Sequence, residues 1–256
     1  MKRKKTLCML ALLLFLGVFS ISAFKLAAYM AASQTQEATF EALEEQVHEA
    51  SAASSPSPDE TAAPAMLPGY AVLYAENPDL FGWVQIDGTK LDYPVMHTPD
   101  DPEFYLQRAF DRSASGSGVP FLDGSCTEGG GNYLIYGHNM RSGTMFATLL
   151  SYAQPDFYEA HPVIRFDTLF EEGTYEIMAA FYSNVYDSND QNVFRYYQYT
   201  DLRNPDRFQE YVSQAAAAAL YDTGVTAQYG DQLLTLTTCS YHTDNGRFVV
   251  VARRRP

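Results

Sequence analysis

The sequence predicts a mainly β domain, an antiparallel barrel or sandwich with a few peripheral helices, which follows one apolar N-terminal helix. Short apolar runs separated by turn residues recur from about residue 82 to the C-terminus, and only two segments in that region have helical patterns. In addition, Leu7 to Phe24 is an uncharged stretch of 18 residues. We therefore expect a membrane segment joined to a single β-rich domain.

Composition and charge narrow the class of protein. The chain has 256 residues, of which 46% are apolar, and it is rich in tyrosine and phenylalanine, as is typical of a globular domain. Five of the 17 basic residues precede residue 36 and all 31 acidic residues follow it, so the remainder carries a net charge of −19. Such a body repels nucleic acid, and we expect no nucleic-acid partner.

The N-terminus has the features of a membrane anchor. A basic cluster at residues 2–5 precedes the apolar stretch, and apolar residues resume after Lys25. A spanning helix needs ~20 residues, and no small-x-small cleavage site is evident. The pattern favours an uncleaved signal anchor over a cleaved signal peptide. The basic cluster predicts a cytoplasmic N-terminus, with the rest of the single-pass protein outside the cell.

These features divide the chain into three parts. Residues 1–32 are the predicted cytoplasmic tail and transmembrane anchor, residues 33–69 a stalk and linker, and residues 70–256 the extracellular domain. Within the stalk, Glu37–Ala50 fits a short amphipathic helix and a solvated spacer equally well. Ser51–Gly69 is rich in Ser, Ala and Pro and indicates a linker.

The predicted domain contains eight apolar runs of strand length. Pro94 in the second run indicates an edge or bulge position, because proline cannot donate to a β-ladder. The runs are GWVQIDG (82–88), LDYPVMH (91–97), GVPFLD (118–123), NYLIYGH (132–138), PVIRFDTLF (162–170), TYEIMAAFYSNV (174–185), DQLLTLTTC (231–239) and RFVVVARR (247–254).

Two segments interrupt the strands with helical patterns. Gly143–Pro162 is expected to hold one or two short helices. Asn204–Gly224 is the clearest, with Asn204 as N-cap, Pro205 in the first turn and Gly224 just past the end.

Two of the three cysteines, Cys126 and Cys239, lie outside the apolar N-terminal stretch. They could form one disulfide, but Cys126 lies in a glycine-rich loop and Cys239 ends a strand, which favours free thiols. No CxxC or Cys/His spacing indicates a metal site. A free thiol in an extracellular domain is a candidate nucleophile.

The last two runs place Cys239 near a cation. If they pair as a hairpin, Cys239 at the end of one and Arg247 at the start of the other become cross-strand neighbours ~5 Å apart at Cβ. A guanidinium there favours the thiolate or holds an oxyanion beside the sulfur. The competing interpretation is a structural cysteine and a surface arginine.

A nucleophilic cysteine also needs an acid/base partner, because a free thiol is mostly protonated at neutral pH. Of the five histidines, His138 ends the strand NYLIYGH, and His242 is close to Cys239 in sequence. The residues alone leave both histidines open as the partner.

The motif TLTTC followed by Arg247, together with YGHNM, resembles the signature of sortases, the cysteine transpeptidases of Gram-positive surfaces. NPDLFGWVQIDGTKLDYPVMHTPDDPEFYL (77–106) resembles the first part of class B sortases, and the long helix before LLTLTTC is another class B feature. The likeness extends through most of residues 70–256.

The resemblance implies a closed eight-stranded β-barrel in which Cys239 attacks an LPxTG-like sorting signal to form a thioester. His138 then transfers protons and Arg247 holds the substrate carbonyl. Thr237, Tyr136 and Ser240 would contact the substrate. The partners implied are surface proteins with sorting signals and an amine acceptor, either a cell-wall precursor or a pilin lysine, and no cofactor or metal is implied. The other functions we consider are a thiol peptidase that releases the acyl group to water and a non-catalytic, surface-anchored binding module.

Overall fold

The computed structural model describes residues 2–53 and 65–256, with side chains from residue 9 onward. The chain divides into two units, the first ending at Ala42 and the second running from Leu43 to Pro256. Residues 54–64 of the predicted linker lie outside the described residues.

Helix α1 spans Lys2–Ala53 without a break. Within the first unit it carries the uncharged apolar stretch, and it is long and apolar enough to cross a membrane by length and composition. The predicted apolar N-terminal helix is thus confirmed. Glu37–Ala50 is helical, but as part of α1 and not as the separate short helix that was one of the two interpretations.

The second unit is built around eight strands. These are β1 (Leu80–Gln85), β2 (Asp92–Met96), β3 (Phe121–Leu122), β4 (Asn132–Tyr136), β5 (Val163–Thr168), β6 (Thr174–Asn184), β7 (Leu233–Cys239) and β8 (Gly246–Arg254). They close into a barrel in the order β1-β2-β3-β4-β7-β8-β6-β5, which confirms the predicted eight-stranded barrel. Closure leaves no unpaired sheet edge along the ring.

The direction of two pairings differs from the antiparallel arrangement that the run spacing predicts. β2 with β3 and β4 with β7 run parallel. Parallel neighbours need a long connection, and the chain between β4 and β7 supplies one. Pro94 pairs only with Trp83 of β1, because β2 meets β3 at Met96 alone, so the proline occupies an edge-like position as expected.

Short helices surround the barrel. They are α2 (Pro68–Glu76), α3 (Pro155–Ala160), α4 (Pro205–Ala218) and three 3₁₀ helices at Phe104–Gln107, Phe146–Ala153 and Tyr196–Gln198. One or two short helices were expected in Gly143–Pro162, and the structure has two there, one of them a 3₁₀ helix.

Helix α4 begins as predicted but ends earlier. The Asn204 side chain accepts hydrogen bonds from the main-chain amides of Asp206 and Arg207 at 2.9 and 3.1 Å, which makes it the N-cap. The helix ends at Ala218, so the prediction that Gly224 lies just past the end is wrong. The chain leaves the helix because the N–H of Leu220 donates to the carbonyl of Ala180 on β6.

Strand β7 is buried up to its last residue, and the hydroxyls of two of its buried threonines are paired with tyrosine hydroxyls. The hydroxyl of Thr235 lies 2.5 Å from the Tyr211 hydroxyl of α4, and that of Thr237 lies 2.8 Å from the Tyr196 hydroxyl. Buried hydroxyls need such partners, because an unpaired one costs about 1–3 kcal/mol. The pairs let β7 run through the core up to Cys239, its partly exposed last residue.

Candidate active site

Cys239 and Arg247 are direct cross-strand neighbours at one end of the barrel. β7 and β8 pair antiparallel with Cys239 opposite Arg247, so the predicted hairpin is confirmed. In the turn, the N–H of Ser240 donates to the carbonyl of Gly246 at 2.9 Å. A Cβ at Gly246 would lie 2.4 Å from the Ser240 carbonyl oxygen, so the close approach requires glycine there.

His138 reaches the same end of the barrel from β4. In the parallel pairing of β4 with β7, Tyr136 is opposite Thr237. Extending this register by two residues brings His138 level with Cys239. The strand that carries the histidine and the strand that carries the cysteine are therefore adjacent, although the residues are about a hundred positions apart in sequence.

The imidazole of His138 is oriented by a main-chain carbonyl. Its Nε2 lies 2.8 Å from the carbonyl oxygen of Leu106, in the 3₁₀ helix Phe104–Gln107. A carbonyl can only accept, so Nε2 carries a proton and, in the neutral ring, Nδ1 is the basic nitrogen. This is the second-partner arrangement that fixes the tautomer of an acid/base histidine.

One cavity of about 400 Å³ brings these three side chains together. Its wall is mainly apolar and aromatic, and its ionisable side chains include two carboxylates besides the histidine and the arginine. The lining residues are Pro102, Glu103, Leu106, Phe121, Asp123, Tyr136, Gly137, His138, Val185, Tyr196, Tyr197, Thr237, Thr238, Cys239 and Arg247.

The guanidinium of Arg247 is held by its own turn. Its Nη1 donates to the carbonyls of Asn245 and Gly246 at 3.3 and 3.0 Å. Burial raises the pKa of the Tyr196 phenol in the cavity wall to about 12. The hydrogen bond with Thr237 and the positive charge of Arg247 act in the opposite direction and lower that pKa. A fixed cation beside Cys239 suits the stabilisation of negative charge at this end of the cavity.

The three predicted substrate contacts fall in different places. Tyr136 lines the cavity, and its hydroxyl donates to Asp123 Oδ2 at 3.0 Å while burial holds the phenol pKa well above its usual range. Thr237 also lines it, with its hydroxyl paired to a tyrosine as described above. Ser240 lies outside the lining, buried in the turn, where its Oγ is 3.0 Å from His242 Nδ1.

His138 is the one histidine among the cavity-lining residues that the structure describes. The ring of His242 packs on Tyr182 with centroids 4.7 Å apart. His97 packs edge-on against Phe81, and His161 bonds a main-chain carbonyl. His48 lies on the exposed surface of α1. The structure thus separates the two candidates that the sequence left open and brings only His138 into the wall with Cys239.

Cys126 has the environment of a structural cysteine. Cys126 and Cys239 are both free, as expected. Cys126 is 2% exposed, and its sulfur accepts from the N–H of Leu134 at 3.4 Å. Burial raises its thiol pKa to about 12, so it is neutral at physiological pH. Cys239, by contrast, is partly exposed in the cavity wall.

Several residues of the cavity carry no signal in the sequence. Leu106 lies in the 3₁₀ helix Phe104–Gln107, Asp123 directly follows β3, and Tyr196 and Tyr197 lie in a 3₁₀ turn between β6 and α4. Neither periodicity nor motif predicts that these side chains line one cavity, because their place depends on how loops cross the barrel end. Among the described residues, no three His, Cys, Asp or Glu side chains form a group able to hold a metal ion.

Comparisons with known proteins agree with this geometry. A sequence model of the Sortase domain family matches residues 84–255. Sortase B of Listeria monocytogenes is 31% identical over 178 residues, covering 68% of this chain and 69% of the relative. Sortase B of Staphylococcus aureus is 28% identical over 190 residues, covering 73% and 74%. A crystal structure of sortase B complexed with triglycine has a TM-score of 0.72 and 25% identity, covering 87% of this chain and 98% of that one.

Proposed function

The chain belongs to class B of the sortase family of cysteine transpeptidases, and we propose that it cleaves an LPxTG-like sorting signal through a thioester on Cys239. The acyl group then passes to an amine. The observation that supports this proposal is that Cys239, Arg247 and His138 line one cavity. They come from three neighbouring strands, β4, β7 and β8. A nucleophile, a cation and a base within one wall are the parts that acyl transfer requires.

In the first half-reaction, Cys239 Sγ attacks the carbonyl carbon of the Thr–Gly bond. A C–S bond forms, the C–N bond breaks, and the thiol proton reaches the leaving glycine amine by way of His138. The products are an acyl thioester on the enzyme and a free peptide amine. The Leu106 carbonyl supports this role because it keeps the imidazole in one orientation throughout proton transfer.

In the second half-reaction, an incoming amine attacks the thioester carbonyl. His138 takes a proton from the amine and returns it to sulfur as the C–S bond breaks and the new amide forms. Both half-reactions pass through a tetrahedral oxyanion, which the Arg247 guanidinium stabilises beside the sulfur. Loss of one such donor typically costs about 10²–10³ in kcat.

We assign three further side chains to substrate contact. Tyr136 and Thr237 lie in the cavity wall beside the reacting groups, so an extended peptide in the cavity touches them. Ser240 is proposed on its position directly after Cys239 alone, since in the structure its buried side chain lies outside the cavity lining and pairs with His242. The proposed partners are surface proteins with a sorting signal, and an amine of a cell-wall precursor or a pilin lysine. A related sortase B was crystallised with triglycine, a peptide that carries a free amine.

We further propose that the protein is anchored in the cell membrane by residues 1–32, with a cytoplasmic N-terminus. Residues 33–69 then form a stalk and linker, and residues 70–256 the extracellular catalytic domain. The length and apolar character of the helix support the anchor, and the basic cluster at residues 2–5 supports the orientation.

The experiment is a product assay on the full-length chain in detergent with fluorescent sorting-signal peptides, with and without triglycine. We expect a ligated peptide that depends on triglycine and is absent with Cys239→Ala, whereas Cys126→Ala, the matched control, retains activity. Cleavage that ignores triglycine and yields only the hydrolysed acid would indicate a thiol peptidase instead. No Cys239-dependent turnover of any sorting peptide would favour a binding module and contradict the proposal.

A further inference from the structure

Asn139 directly follows His138, and its side chain reaches the strand that ends in Cys239. Its Nδ2 donates a hydrogen bond to the main-chain oxygen of Cys239 at 2.9 Å, across a sequence separation of 100 residues. The contact joins the segment that carries the proposed base to the segment that carries the proposed nucleophile.

The contact also continues the pairing of β4 with β7 beyond the regular ladder. The N–H of Gly137 donates to the Thr237 carbonyl at 3.1 Å, and the Thr238 hydroxyl donates to the Gly137 carbonyl at 2.7 Å. The bond from Asn139 to the Cys239 carbonyl is the next link toward the end of the barrel. Side chains thus replace main-chain hydrogen bonds where the proposed reacting groups project.

The loop after His138 closes through its own main chain. The N–H of Phe146 donates to the His138 carbonyl at 2.9 Å, and Asn139 forms an isolated antiparallel bridge with Met145. These bonds shape the loop whatever side chain stands at position 139. The Asn139 amide therefore acts between the loop and β7, rather than within the loop.

We propose that Asn139 is a positioning residue for the transpeptidation. By holding the Cys239 main chain against the residue next to His138, it fixes the separation of the sulfur and the imidazole through both proton transfers. The inference rests on the proposed function, since it takes these two side chains as the reacting pair. A displacement of about 1 Å in such a pair can cost about 10²-fold in rate.

Two variants and a matched control test the role of the amide. Asn139→Ala removes the amide, and Asn139→Asp keeps the shape but sets a carboxylate acceptor against an acceptor oxygen. Ser142→Ala is the control in the same loop, because its hydroxyl pairs within the loop with Thr144 Oγ1 at 2.8 Å. Each full-length variant is assayed for triglycine ligation and for the rate of alkylation of Cys239 by iodoacetamide, resolved by peptide mapping.

Both Asn139 variants are expected to lower kcat by about 10–10²-fold while KM for the sorting peptide changes by less than about 3-fold, because positioning acts on the chemical step. Ser142→Ala is expected to keep the wild-type kcat. The alkylation rate of Cys239 should fall with Asn139→Ala in the wild-type background but show no further fall in a His138→Ala background, because the amide acts through the histidine.

The inference is overturned if both Asn139 variants ligate at the wild-type rate, if their whole loss lies in KM, or if the alkylation loss is equally large without His138. If Asn139→Ala does not fold, the same ligation and alkylation measurements on the nearly isosteric Asn139→Asp decide whether Asn139 is a positioning residue. If the wild-type chain does not ligate, but the alkylation rate of Cys239 still depends on Asn139 and His138, the result contradicts the proposed function and not this inference. If the wild-type chain ligates and the Asn139 variants ligate equally fast, the result contradicts this inference and not the proposed function.

Discussion

At the residue scale, the environments of Cys239, the proposed nucleophile, and Cys126, a packing residue, differ sharply. The sulfur of Cys126 is enclosed and hydrogen-bonded to the main chain, and burial raises its pKa to about 12. Cys239 stands partly exposed in the cavity beside a guanidinium. We expect iodoacetamide at pH 7–8 to label Cys239 and leave Cys126 unlabelled until the protein is unfolded, as read by peptide mapping. Labelling of Cys126 in the native state at a comparable rate would contradict this assignment.

The histidines differ in the same way, and the difference is testable by substitution. His138 lies in the cavity wall and bonds the Leu106 carbonyl, whereas His242 packs on Tyr182 in the turn. His138→Ala should lower ligation by about 10²–10⁴-fold, the usual contribution of general acid–base catalysis. His242→Ala, measured in the same product assay, should stay close to wild type. The opposite ranking would contradict the choice of base.

His97 is expected to make folding stability depend on pH. Desolvation lowers its pKa below the ordinary 6.5, against the opposing effect of Asp123, and its buried Nε2 has no hydrogen-bond partner among the described residues. The folded state therefore binds fewer protons at this site than the unfolded state, so stability rises with pH through this range. The urea concentration at the unfolding midpoint should decrease when the pH is lowered from 7.5 to 5.5, and this decrease should be smaller in His97→Phe. An unchanged pH dependence in the variant would contradict the assignment.

At the element scale, the chain crossing near Gly118 supports the 3₁₀ helix that holds His138. Gly118 has φ +58°, and a Cβ there would lie 2.5 and 2.6 Å from the carbonyl oxygens of Tyr105 and Leu106. Gly118→Ala should displace the carbonyl that orients the imidazole and destabilise the fold by about 1–3 kcal/mol. Gly116→Ala is the matched control, because nothing lies within 4 Å of its Cβ. Equal ligation rates and melting temperatures in the two variants would contradict this account.

The elements also show what the sequence can predict. Alternating apolar runs give the positions of all eight strands, and Asn204 gives the start of α4, because both signals are local. Strand direction is not local: the parallel pairing of β4 with β7 depends on the path of the chain between them. The early end of α4 likewise depends on a hydrogen bond to β6.

The residues of the proposed site likewise divide into those that local sequence signals predict and those that depend on distant parts of the chain. The pairing of Cys239 with Arg247 follows from a short hairpin and was predictable from spacing. His138 required the family resemblance, since its proximity to Cys239 arises from the register of two strands far apart in sequence. Leu106 and Asn139 were not predicted, because one acts through a main-chain carbonyl and the other through a single amide in a loop.

At the scale of the whole molecule, barrel closure gathers the proposed site. β4, β7 and β8 are consecutive around the ring, and they bring the three proposed catalytic residues, His138, Cys239 and Arg247, to the same end. The N-terminal helix adds a proposed membrane attachment.

If Cys239 carries the acyl group as proposed, intact-mass spectrometry of the full-length chain will detect the acylated protein. After brief incubation with a sorting-signal peptide and no amine, the protein should gain the mass of the acyl fragment. Peptide mapping should place the adduct on Cys239, and hydroxylamine or triglycine should release it. An adduct on another residue, or turnover of the peptide that persists in Cys239→Ala, would contradict the account.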